Sequence, residues 1–480
     1  MKIRTRFAPS PTGYLHIGGL RTALFNYLLA KKDKGNFILR IEDTDRSRLV
    51  KSAADNLINI LKIINIEPDE GVLSREEKGK YKPYTQSKNI KEYQNKAKEL
   101  IENNKAYYCF CSAERLDKVR KEQQANKQVP KYDRYCRDLK EEEIKKKLEN
   151  KKNYVIRFKI PDNEVIECSD LIHGNIKVKS EDLDDFVILK SDQYPTYHLA
   201  VVVDDQRMNI SHIIRGEEWL PSLPKHILLY QAFNYNLPFF AHLPLLLNKD
   251  KSKLSKRQGD VSVEDFIKKG YLPEALINYI SLLGWNPGND REIFSLAELI
   301  KEFTLEKVNK SGAIFDLQKL NWFNAEYIKN IVEEKGEKYN NLLNLTKKYI
   351  PERTEDILKL FSTRINYLEE LKELSSFLFS LPEYDKELLI FKKSNKEKTI
   401  KGLELILKEL EDINNWEEGD LNTKLKELTE NNNLTPGDIF WPLRVACSGL
   451  DKSPSPAEIL EFLKKEESIK RVKLALDKLK

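Results

Sequence analysis

The chain has 480 residues, and its 82 basic and 76 acidic side chains leave a formal net charge of only +6. A single hydrophobic core stops growing well below this length, so more than one domain is expected. The small net charge does not indicate nucleic-acid binding, because a surface for a polyanion must then come from local basic patches. Five cysteines form no paired framework, and no apolar run approaches the roughly 18 residues of a membrane span. These features favour a reduced, cytoplasmic, multidomain protein without a membrane anchor.

The beginning of the chain predicts a strand, a tight loop and a helix. Residues 2–8 alternate polar and apolar side chains, and Pro9, Pro11 and Gly13 then predict an irregular turn. Apolar residues follow at helical spacing: Leu20, Ala23, Leu24, Tyr27 and Leu28. The helix would begin beside His16, where unpaired N–H groups suit an anion such as a phosphate.

The loop sequence PSPTGYLHIGG resembles the ATP-binding "HIGH" region of class I aminoacyl-tRNA synthetases, in the form found in their glutamyl branch. Gly19 stands at the last position of the motif in place of His, a variant seen in that branch. The resemblance implies an ATP-binding role for Pro9, Ser10, Pro11, His16, Gly18 and Gly19. Taken alone, a His before two Gly at a helix start is more often structural.

The second strand and the segment after it point to an amino-acid site. Residues 36–41 form a near-continuous apolar run, which predicts a buried parallel strand, and strand–helix–strand opens a doubly wound α/β domain. The RIEDTDR segment at its end resembles a signature of glutamyl and glutaminyl synthetases, although an acidic cluster alone also fits a solvated loop. The resemblance implies that glutamate contacts Arg6, Ser10, Glu42, Tyr197 and Arg215. Arg6 and Arg215 would then bind both carboxylates of a dicarboxylic amino acid.

A lysine-rich segment carries the second nucleotide motif. KLSKR resembles the "KMSKS" loop of class I synthetases, although a basic loop in so Lys-rich a chain also fits a solvated surface. The resemblance adds ATP contacts from Lys253, Leu254, Ser255, Lys256 and Arg257. Charge grows on the phosphate oxygens as the amino acid attacks ATP, and fixed cations stabilise it. His16, Lys253 and Lys256 are therefore the predicted catalytic residues, assisted by Mg²⁺.

The middle of the chain resembles the family's inserted domain, which handles the acceptor end of tRNA. A helix is predicted at 91–103 and strands at 107–111, 154–160 and 186–190, and the segment 112–152, dense in Lys, Glu and Gln, predicts exposed helices. Further along, the three Val residues at 201–203 alone predict another buried strand.

Two short pairs within this insertion predict a metal site. Cys109-x-Cys111 and Cys136-x-Asp138 are two ligand pairs that suit a tetrahedral ion. Some bacterial family members bind zinc here with three Cys and one His, and Asp138 stands where that His would be. The alternative is a set of buried, reduced thiols that pack as small apolar groups.

The last third of the chain predicts helices. Apolar residues recur three and four apart in two sets: Phe361, Ile365, Leu368, Leu371, Leu374 and Leu378, then Leu403, Ile406, Leu410 and Ile413. The family's bacterial branch reads the anticodon with such a helical region, whereas glutaminyl enzymes use β-barrels. Arg364 matches a position that helps to reject the glutamine anticodon, and an exposed helical Arg is the alternative.

The sequence as a whole predicts an α/β class I synthetase fold, with a Rossmann-like parallel sheet, an inserted α+β acceptor-binding domain and an all-α anticodon-binding region. The predicted domains are residues 1–90 with 195–245, residues 91–194, a stem-contact region at 246–323 that includes KLSKR, and residues 324–480. The implied activity is ATP-dependent attachment of L-glutamate to tRNA(Glu) by a cytoplasmic monomer. Its rivals are a glutaminyl enzyme, a shortened relative that glutamylates a modified base, and a non-catalytic tRNA-binding paralogue.

Overall fold

The computed structural model describes residues 2–45, 49–50, 52–74, 76–254 and 262–480. The chain divides into two compact units, one of Met1–Lys268 with Pro273–Leu320 and the other of Lys269–Leu272 with Asn321–Lys480. Among the helices in these ranges, none combines the length and the apolar character that crossing a membrane requires.

The first unit contains all the strands in the described residues. They are β1 (Arg4–Phe7), β2 (Asn36–Leu39), β3 (Glu70–Val72), β4 (Glu77–Lys78), β5 (Ala106–Cys109), β6 (Val155–Phe158), β7 (Val165–Asp170), β8 (Gly174–Lys179), β9 (Val187–Leu189), β10 (His212–Gly216), β11 (Phe239–Leu243), β12 (Leu246–Leu247) and β13 (Ala313–Ile314). The helices up to residue 302 are α1 (Ile17–Lys32), α2 (Ala53–Ile63), α3 (Ile90–Glu102), α4 (Ala113–Ala125), α5 (Glu141–Glu149), α6 (Tyr197–Arg207), α7 (Leu223–Ala232), α8 (Val263–Lys269), α9 (Pro273–Ser281) and α10 (Leu296–Glu302).

A parallel sheet positions the site. Strands β1, β2 and β3 pair in parallel, as do β10 and β11. Strand β10 lies beside β1, because the Ser211 N–H donates to the Arg4 carbonyl at 2.9 Å. Ligands of such sheets bind beyond the carboxyl ends of the strands. The predicted Rossmann-like arrangement of strand, helix and parallel strand is therefore present.

The inserted segment forms its own antiparallel structure. Strands β5, β6 and β9 make one sheet, and β7 pairs with β8 as a hairpin. Helices α4 and α5 bury none of their residues, which agrees with the exposed helices predicted for residues 112–152.

The prediction of a strand at residues 201–203 was wrong, because these three Val residues lie inside helix α6. All three are buried, so the run has no polar face that would reveal a helical period. A short apolar run is ambiguous for this reason, and here tertiary packing decides the outcome.

Residues 321–480, all of them described, contain helices and no strand, as predicted. The helices from residue 317 onward are α11 (Leu317–Glu334), α12 (Glu337–Thr346), α13 (Thr354–Phe361), α14 (Leu371–Leu374), α15 (Ser376–Phe379), α16 (Lys396–Asp412), α17 (Glu418–Asn431), α18 (Pro436–Ser448) and α19 (Pro456–Leu479). The apolar set from Phe361 to Leu378 does not form one continuous helix. Helix α13 ends at Phe361, a turn and a 3-10 segment follow, and Leu374 is 38% exposed.

Candidate active site

One cavity of about 520 Å³ opens beyond the ends of β1, β2 and β10. Its lining includes every residue expected to bind the amino acid: Arg6, Ser10, Glu42, Tyr197 and Arg215. It also includes the expected ATP-binding residues of the first motif: Pro9, Ser10, Pro11, His16, Gly18 and Gly19. The sheet topology thus brings together residues that lie up to about two hundred positions apart in sequence.

Hydrogen bonds tie the loop after β1 to the end of β2. The Glu42 N–H donates to the Pro9 carbonyl at 3.1 Å, and the Thr12 N–H donates to the Ser10 carbonyl at 2.8 Å. The first bond holds the PSPT turn against the segment after β2 that carries Glu42, and the second lies within the turn itself.

His16 caps helix α1. Its Nδ1 atom accepts from the Gly18 N–H at 3.0 Å, which in the neutral ring leaves the proton on Nε2. A Cβ atom at Gly18 would lie 3.4 Å from His16 Nδ1, and one at Gly19 would lie 3.0 Å from Leu15. The distance at Gly18 is an ordinary contact, whereas Gly19 is closely packed against Leu15, so packing within the motif favours a glycine at position 19.

Of the described residues around the KLSKR segment, Leu254 contacts β12 and Ser262 contacts the first motif. The Leu254 N–H donates to the Leu246 carbonyl at 2.9 Å, and Ser262 pairs with His16 as an isolated antiparallel bridge. Ser255, Lys256 and Arg257 lie outside the described residues. Lys253 lines a neighbouring, mainly apolar cavity of about 660 Å³ rather than the first cavity.

A network of four buried charges forms one wall of the site. Asp205 accepts from Arg6 Nε at 3.1 Å and from Arg40 Nη1 at 2.6 Å, and Arg40 Nη2 also donates to Glu42 at 2.9 Å. Burial alone would raise the pKa of Asp205, but Arg40 and Arg6 lower it below its ordinary value. Burial raises the pKa of Glu42 against the opposing effect of Arg40.

Arg215 has a different set of partners. Its Nε donates to His242 Nε2 at 2.9 Å, and its Nη1 donates to Tyr197 Oη at 3.0 Å and to His226 Nδ1 at 3.1 Å. Its Nη2 is buried and has no hydrogen-bond partner among the described residues. A buried guanidinium with an unused donor face is suited to an anionic ligand.

Several residues around this site were missed from the sequence: Arg40, Asp205, Asp170, His226 and His242. A charged Arg within the apolar run of residues 36–41 was a signal for Arg40. A single His within an apolar segment, in α7 and again in β11, was a weaker signal for His226 and His242. Their partners come from distant elements, so no local spacing could have indicated the network.

Three of the four predicted metal ligands come together. The sulfur atoms of Cys109, Cys111 and Cys136 lie within 4.8 Å of one another, and the Cys111 and Cys136 sulfurs are 3.6 Å apart. Asp138 is exposed, and its carboxylate is not part of this cluster. Instead, the Tyr132 hydroxyl lies 3.3 Å from the Cys109 sulfur and 3.5 Å from that of Cys111.

Two arginines lie beside this cluster of thiols. Arg115 Nη1 donates to the Cys111 sulfur at 3.5 Å, and the Arg157 guanidinium lies 3.9 Å from the centre of the Tyr132 ring. Hydrogen bonding with Cys136 lowers the pKa of the Cys109 thiol below its usual value. A lowered pKa favours the thiolate, which is the form that binds metals.

In the second unit, Arg364 is exposed and ion-paired. Its Nη2 donates to Glu458 at 3.0 Å, and its Nη1 donates to the Leu360 carbonyl at 2.6 Å. Glu458 belongs to the capping box of α19, so the guanidinium is held at the N-terminus of that helix.

Comparison with known proteins places this geometry in a family. The model described as "tRNA synthetases class I (E and Q), catalytic domain" matches residues 2–322, and one described as "Anticodon binding domain" matches residues 296–476. Proteins named glutamate–tRNA ligase from Clostridium botulinum (strain Hall) and Finegoldia magna are 44% and 43% identical. The alignments cover 100% and 99% of this chain and 99% and 100% of those proteins.

The chain belongs to the class I tRNA synthetases of the E and Q type. A crystal structure of a glutamate tRNA ligase from Elizabethkingia meningosepticum, in complex with its amino acid, superposes with a TM-score of 0.91 at 37% identity and covers 100% of both chains. Within its class, the chain is a member of the glutamate–tRNA ligases.

Proposed function

We propose that this protein uses ATP to join L-glutamate to tRNA(Glu) through an enzyme-bound glutamyl-adenylate, with release of AMP and pyrophosphate. The observation that carries the proposal is the buried Arg215 guanidinium, whose Nη2 has no partner in the described part of the chain and which lines the same cavity as the His16 motif. An anionic amino acid and a nucleotide would therefore bind beside each other in one cavity.

The amino-acid half of the cavity suits a dicarboxylate. Arg215 supplies two unused N–H donors for one carboxylate, and Arg6 supplies a second cation on the same wall. Tyr197 and Glu42 add a phenol and a carboxylate, and the Glu42 carboxylate is available to accept from the ammonium group. Ser10, on the loop after β1, adds a hydroxyl at the rim.

The nucleotide half suits a triphosphate. The α1 N-terminus provides N–H groups and partial positive charge, and His16 Nε2 carries a proton directed away from its helix cap. ATP would enter as its Mg²⁺ complex, since Mg²⁺ prefers phosphate and carboxylate oxygens and the carboxylates of Asp45 and Glu218 line this cavity. Catalysis would then rest on positioning and electrostatic stabilisation rather than on a covalent intermediate.

Lys253 and Lys256 complete the proposed phosphate site. The support lies in the anchors of their loop, since Leu254 bonds to β12 and Ser262 pairs with His16. The Ser262 end of this segment therefore lies beside the N-terminus of α1, which would receive the phosphates.

The test is a tRNA-dependent assay. We expect ATP–pyrophosphate exchange with glutamate when active tRNA(Glu) is present, and aminoacylation of tRNA(Glu). Absence of exchange under these conditions would leave the non-catalytic paralogue as the better interpretation. Parallel aminoacylation of purified tRNA(Gln), with glutamate and with glutamine, would detect a glutaminyl activity.

The thiol cluster fits a structural zinc ion at three positions. Tetrahedral Zn–S bonds of about 2.3 Å require sulfur atoms about 3.8 Å apart, close to the 3.6 Å between Cys111 and Cys136. Zinc here would crosslink β5 to the segment that carries Cys136. The fourth ligand is either Asp138, as the resemblance implies, or Tyr132, whose hydroxyl already lies among the sulfurs.

Metal analysis of the purified protein tests this site. We expect about one zinc per chain, lost in Cys136→Ser and retained in Cys447→Ser, a buried thiol of the second unit. Loss of zinc in Asp138→Asn identifies Asp138 as the fourth ligand, whereas loss in Tyr132→Phe identifies Tyr132. The proposal would be contradicted if the wild-type protein still contained no zinc after it had been refolded in the presence of zinc.

In the second unit, we propose that Arg364 contacts the anticodon. Its ion pair with Glu458 holds the guanidinium at a helix end, where it is exposed to a ligand. Arg364→Ala should reduce the preference for tRNA(Glu) over tRNA(Gln) without changing the KM for ATP. The cytoplasmic location and the monomeric state stay predictions. Light scattering of the purified protein tests whether it is a monomer.

A further inference from the structure

We propose that His242 and His226 are positioning residues that hold the Arg215 guanidinium through neutral ring nitrogens, and that Asp170 of the inserted hairpin fixes the tautomer of His242. This inference rests on the proposed function, because it explains how Arg215 is oriented to bind glutamate.

The first arm of the network runs from the inserted segment to Arg215. Asp170, at the end of β7, lies 2.7 Å from His242 Nδ1, and Arg215 Nε lies 2.9 Å from His242 Nε2. All three side chains are buried. An Arg can only donate, so Nε2 must be the unprotonated nitrogen, and the proton must lie on Nδ1, where Asp170 accepts it.

The second arm uses the opposite ring nitrogen. Arg215 Nη1 donates to His226 Nδ1 at 3.1 Å, which places the His226 proton on Nε2. His226 Nε2 in turn donates a hydrogen bond to His198 Nδ1, and the two nitrogens are 3.1 Å apart. Each histidine thus has one ring nitrogen that faces Arg215 and a second that bonds to a neighbouring group.

Both rings are neutral at physiological pH. Burial lowers the pKa of His242 to about 4, and Asp170 only partly opposes this effect. Burial also lowers the pKa of His226 well below its usual value. The charged and titratable groups that face these two rings are Asp170, His173, Arg215, His198, Arg6 and Tyr197, and His242 also acts on His226. A protonated ring could not accept from Arg215, so the low pKa values agree with the geometry.

Asp170 also anchors the hairpin, and the two roles need to be separated. Its Oδ1 accepts from the Ile172 and His173 N–H groups at 2.9 Å each, and its Oδ2 accepts from the His242 N–H at 3.1 Å. A purely structural role for His242 would be to bond to Asp170 through Nδ1. A positioning role would be to accept from Arg215 through Nε2.

Amide substitutions distinguish these roles. The Asn amide reaches the position of Nδ1, whereas the longer Gln amide reaches that of Nε2. His242→Gln therefore keeps an acceptor for Arg215, and His242→Asn keeps only a partner for Asp170. At His226 the roles of the two amides are exchanged, because Arg215 bonds to Nδ1 there. His226→Asn keeps the acceptor for Arg215, and His226→Gln keeps only a partner for His198.

The measurement is the KM for glutamate in aminoacylation, with the KM for ATP measured in parallel. We expect the glutamate KM to rise about tenfold or more in His242→Asn and His226→Gln, and clearly less in His242→Gln and His226→Asn. The KM for ATP should change in none of them. His212→Asn and His212→Gln, at the start of β10, serve as matched controls that leave the glutamate KM unchanged. The proposal would be overturned if the same amide, Asn or Gln, gave the smaller rise in the glutamate KM at both positions.

A spectroscopic readout is independent of activity. Long-range ¹H–¹⁵N spectra of the six histidines should show His242 protonated at Nδ1 and His226 at Nε2. The opposite tautomer at either site would contradict the network. If Arg215→Leu leaves the glutamate KM unchanged, the proposed glutamate site fails. If Arg215→Leu raises the glutamate KM, but Gln is not the better-tolerated amide at position 242 and Asn at position 226, only the positioning role fails.

Discussion

The two arginines of the amino-acid site differ in how their charges are balanced. Arg6 shares Asp205 with Arg40, and Arg40 also bonds to Glu42, so two cations face two carboxylates. Within the part of the chain that the structure describes, Arg215 forms hydrogen bonds only with a phenol and two imidazoles. Arg215 therefore has no carboxylate partner among these residues, whereas Arg6 would bind a substrate carboxylate while still paired with Asp205.

Arg215→Leu should raise the KM for glutamate about a hundredfold, since hydrogen bonds to charged groups contribute about 1.5–3 kcal/mol each. The KM for ATP should change little, because the substitution leaves the His16 motif untouched. Aminoacylation kinetics with each substrate varied in turn measure both values. Equal increases for the two substrates would contradict the assignment.

His16 combines a structural and a proposed catalytic role, which one substitution separates. Asn is a favoured N-cap residue, so His16→Asn should retain the start of α1 while removing the donor at Nε2. Loss of a donor that stabilises a developing charge costs about 10²–10³ in rate. We expect a fall of that size in the exchange rate, with an unchanged thermal unfolding midpoint. A matching drop in stability would assign His16 to the helix cap alone.

At the scale of elements, strand β3 approaches β2 through Gly71. Its φ is +121°, and a Cβ atom there would lie 2.0 Å from the Leu39 carbonyl oxygen, at the end of the strand that precedes Arg40 and Glu42. Gly174, in the β7–β8 hairpin, has φ +82° but open space around its Cβ position. The two glycines therefore separate the effect of backbone strain from that of a backbone clash.

Gly71→Ala should lower the free energy of unfolding by more than about 3 kcal/mol, whereas Gly174→Ala should cost about 1 kcal/mol from strain alone. Because β2 must move away from β3 in the first variant, its glutamate KM should also rise. Urea unfolding and aminoacylation kinetics of the two variants test this contrast. Equal destabilisation would mean that strain, rather than the clash, sets the cost.

The elements that the sequence predicted well are those with a local signal. Strand β2 is a continuous apolar run ended by charge, and helix α1 follows a proline-rich turn with a regular apolar period. The run at 201–203 had no polar face, so its helical period was invisible. The set from Phe361 to Leu378 kept a helical spacing across a turn, because buried positions on successive short helices can continue one period by chance.

At the scale of the whole chain, the motif residues could be assigned to one cavity from their resemblance, but their supporting network could not. Asp170 and His242 are 72 positions apart, and His242 and Arg215 are 27 apart. Such contacts depend on how the inserted hairpin packs against β11, which no periodicity encodes. The neutral histidines that result from this packing have a consequence for the stability of the first unit.

The first unit should lose stability in mild acid because of these histidines. Burial lowers the pKa of His198 and of His242 to about 4, below the unfolded value of about 6.5. The unfolded chain therefore binds protons that the folded one does not, so stability is lost as the pH falls from about 6.5 towards 4. Each such histidine should cost about 2 kcal/mol between pH 7 and pH 5.

His198→Asn isolates one of these contributions, because the Asn amide oxygen still accepts from His226 Nε2 but does not titrate. Hydrogen exchange in β10 and β11 at pH 7 and pH 5 gives the opening free energy of this part of the unit. We expect the variant to lose about 2 kcal/mol less than the wild type between the two pH values. An identical loss in both proteins would show that His198 is protonated in the folded state. The acid sensitivity would then have to come from other groups of the unit.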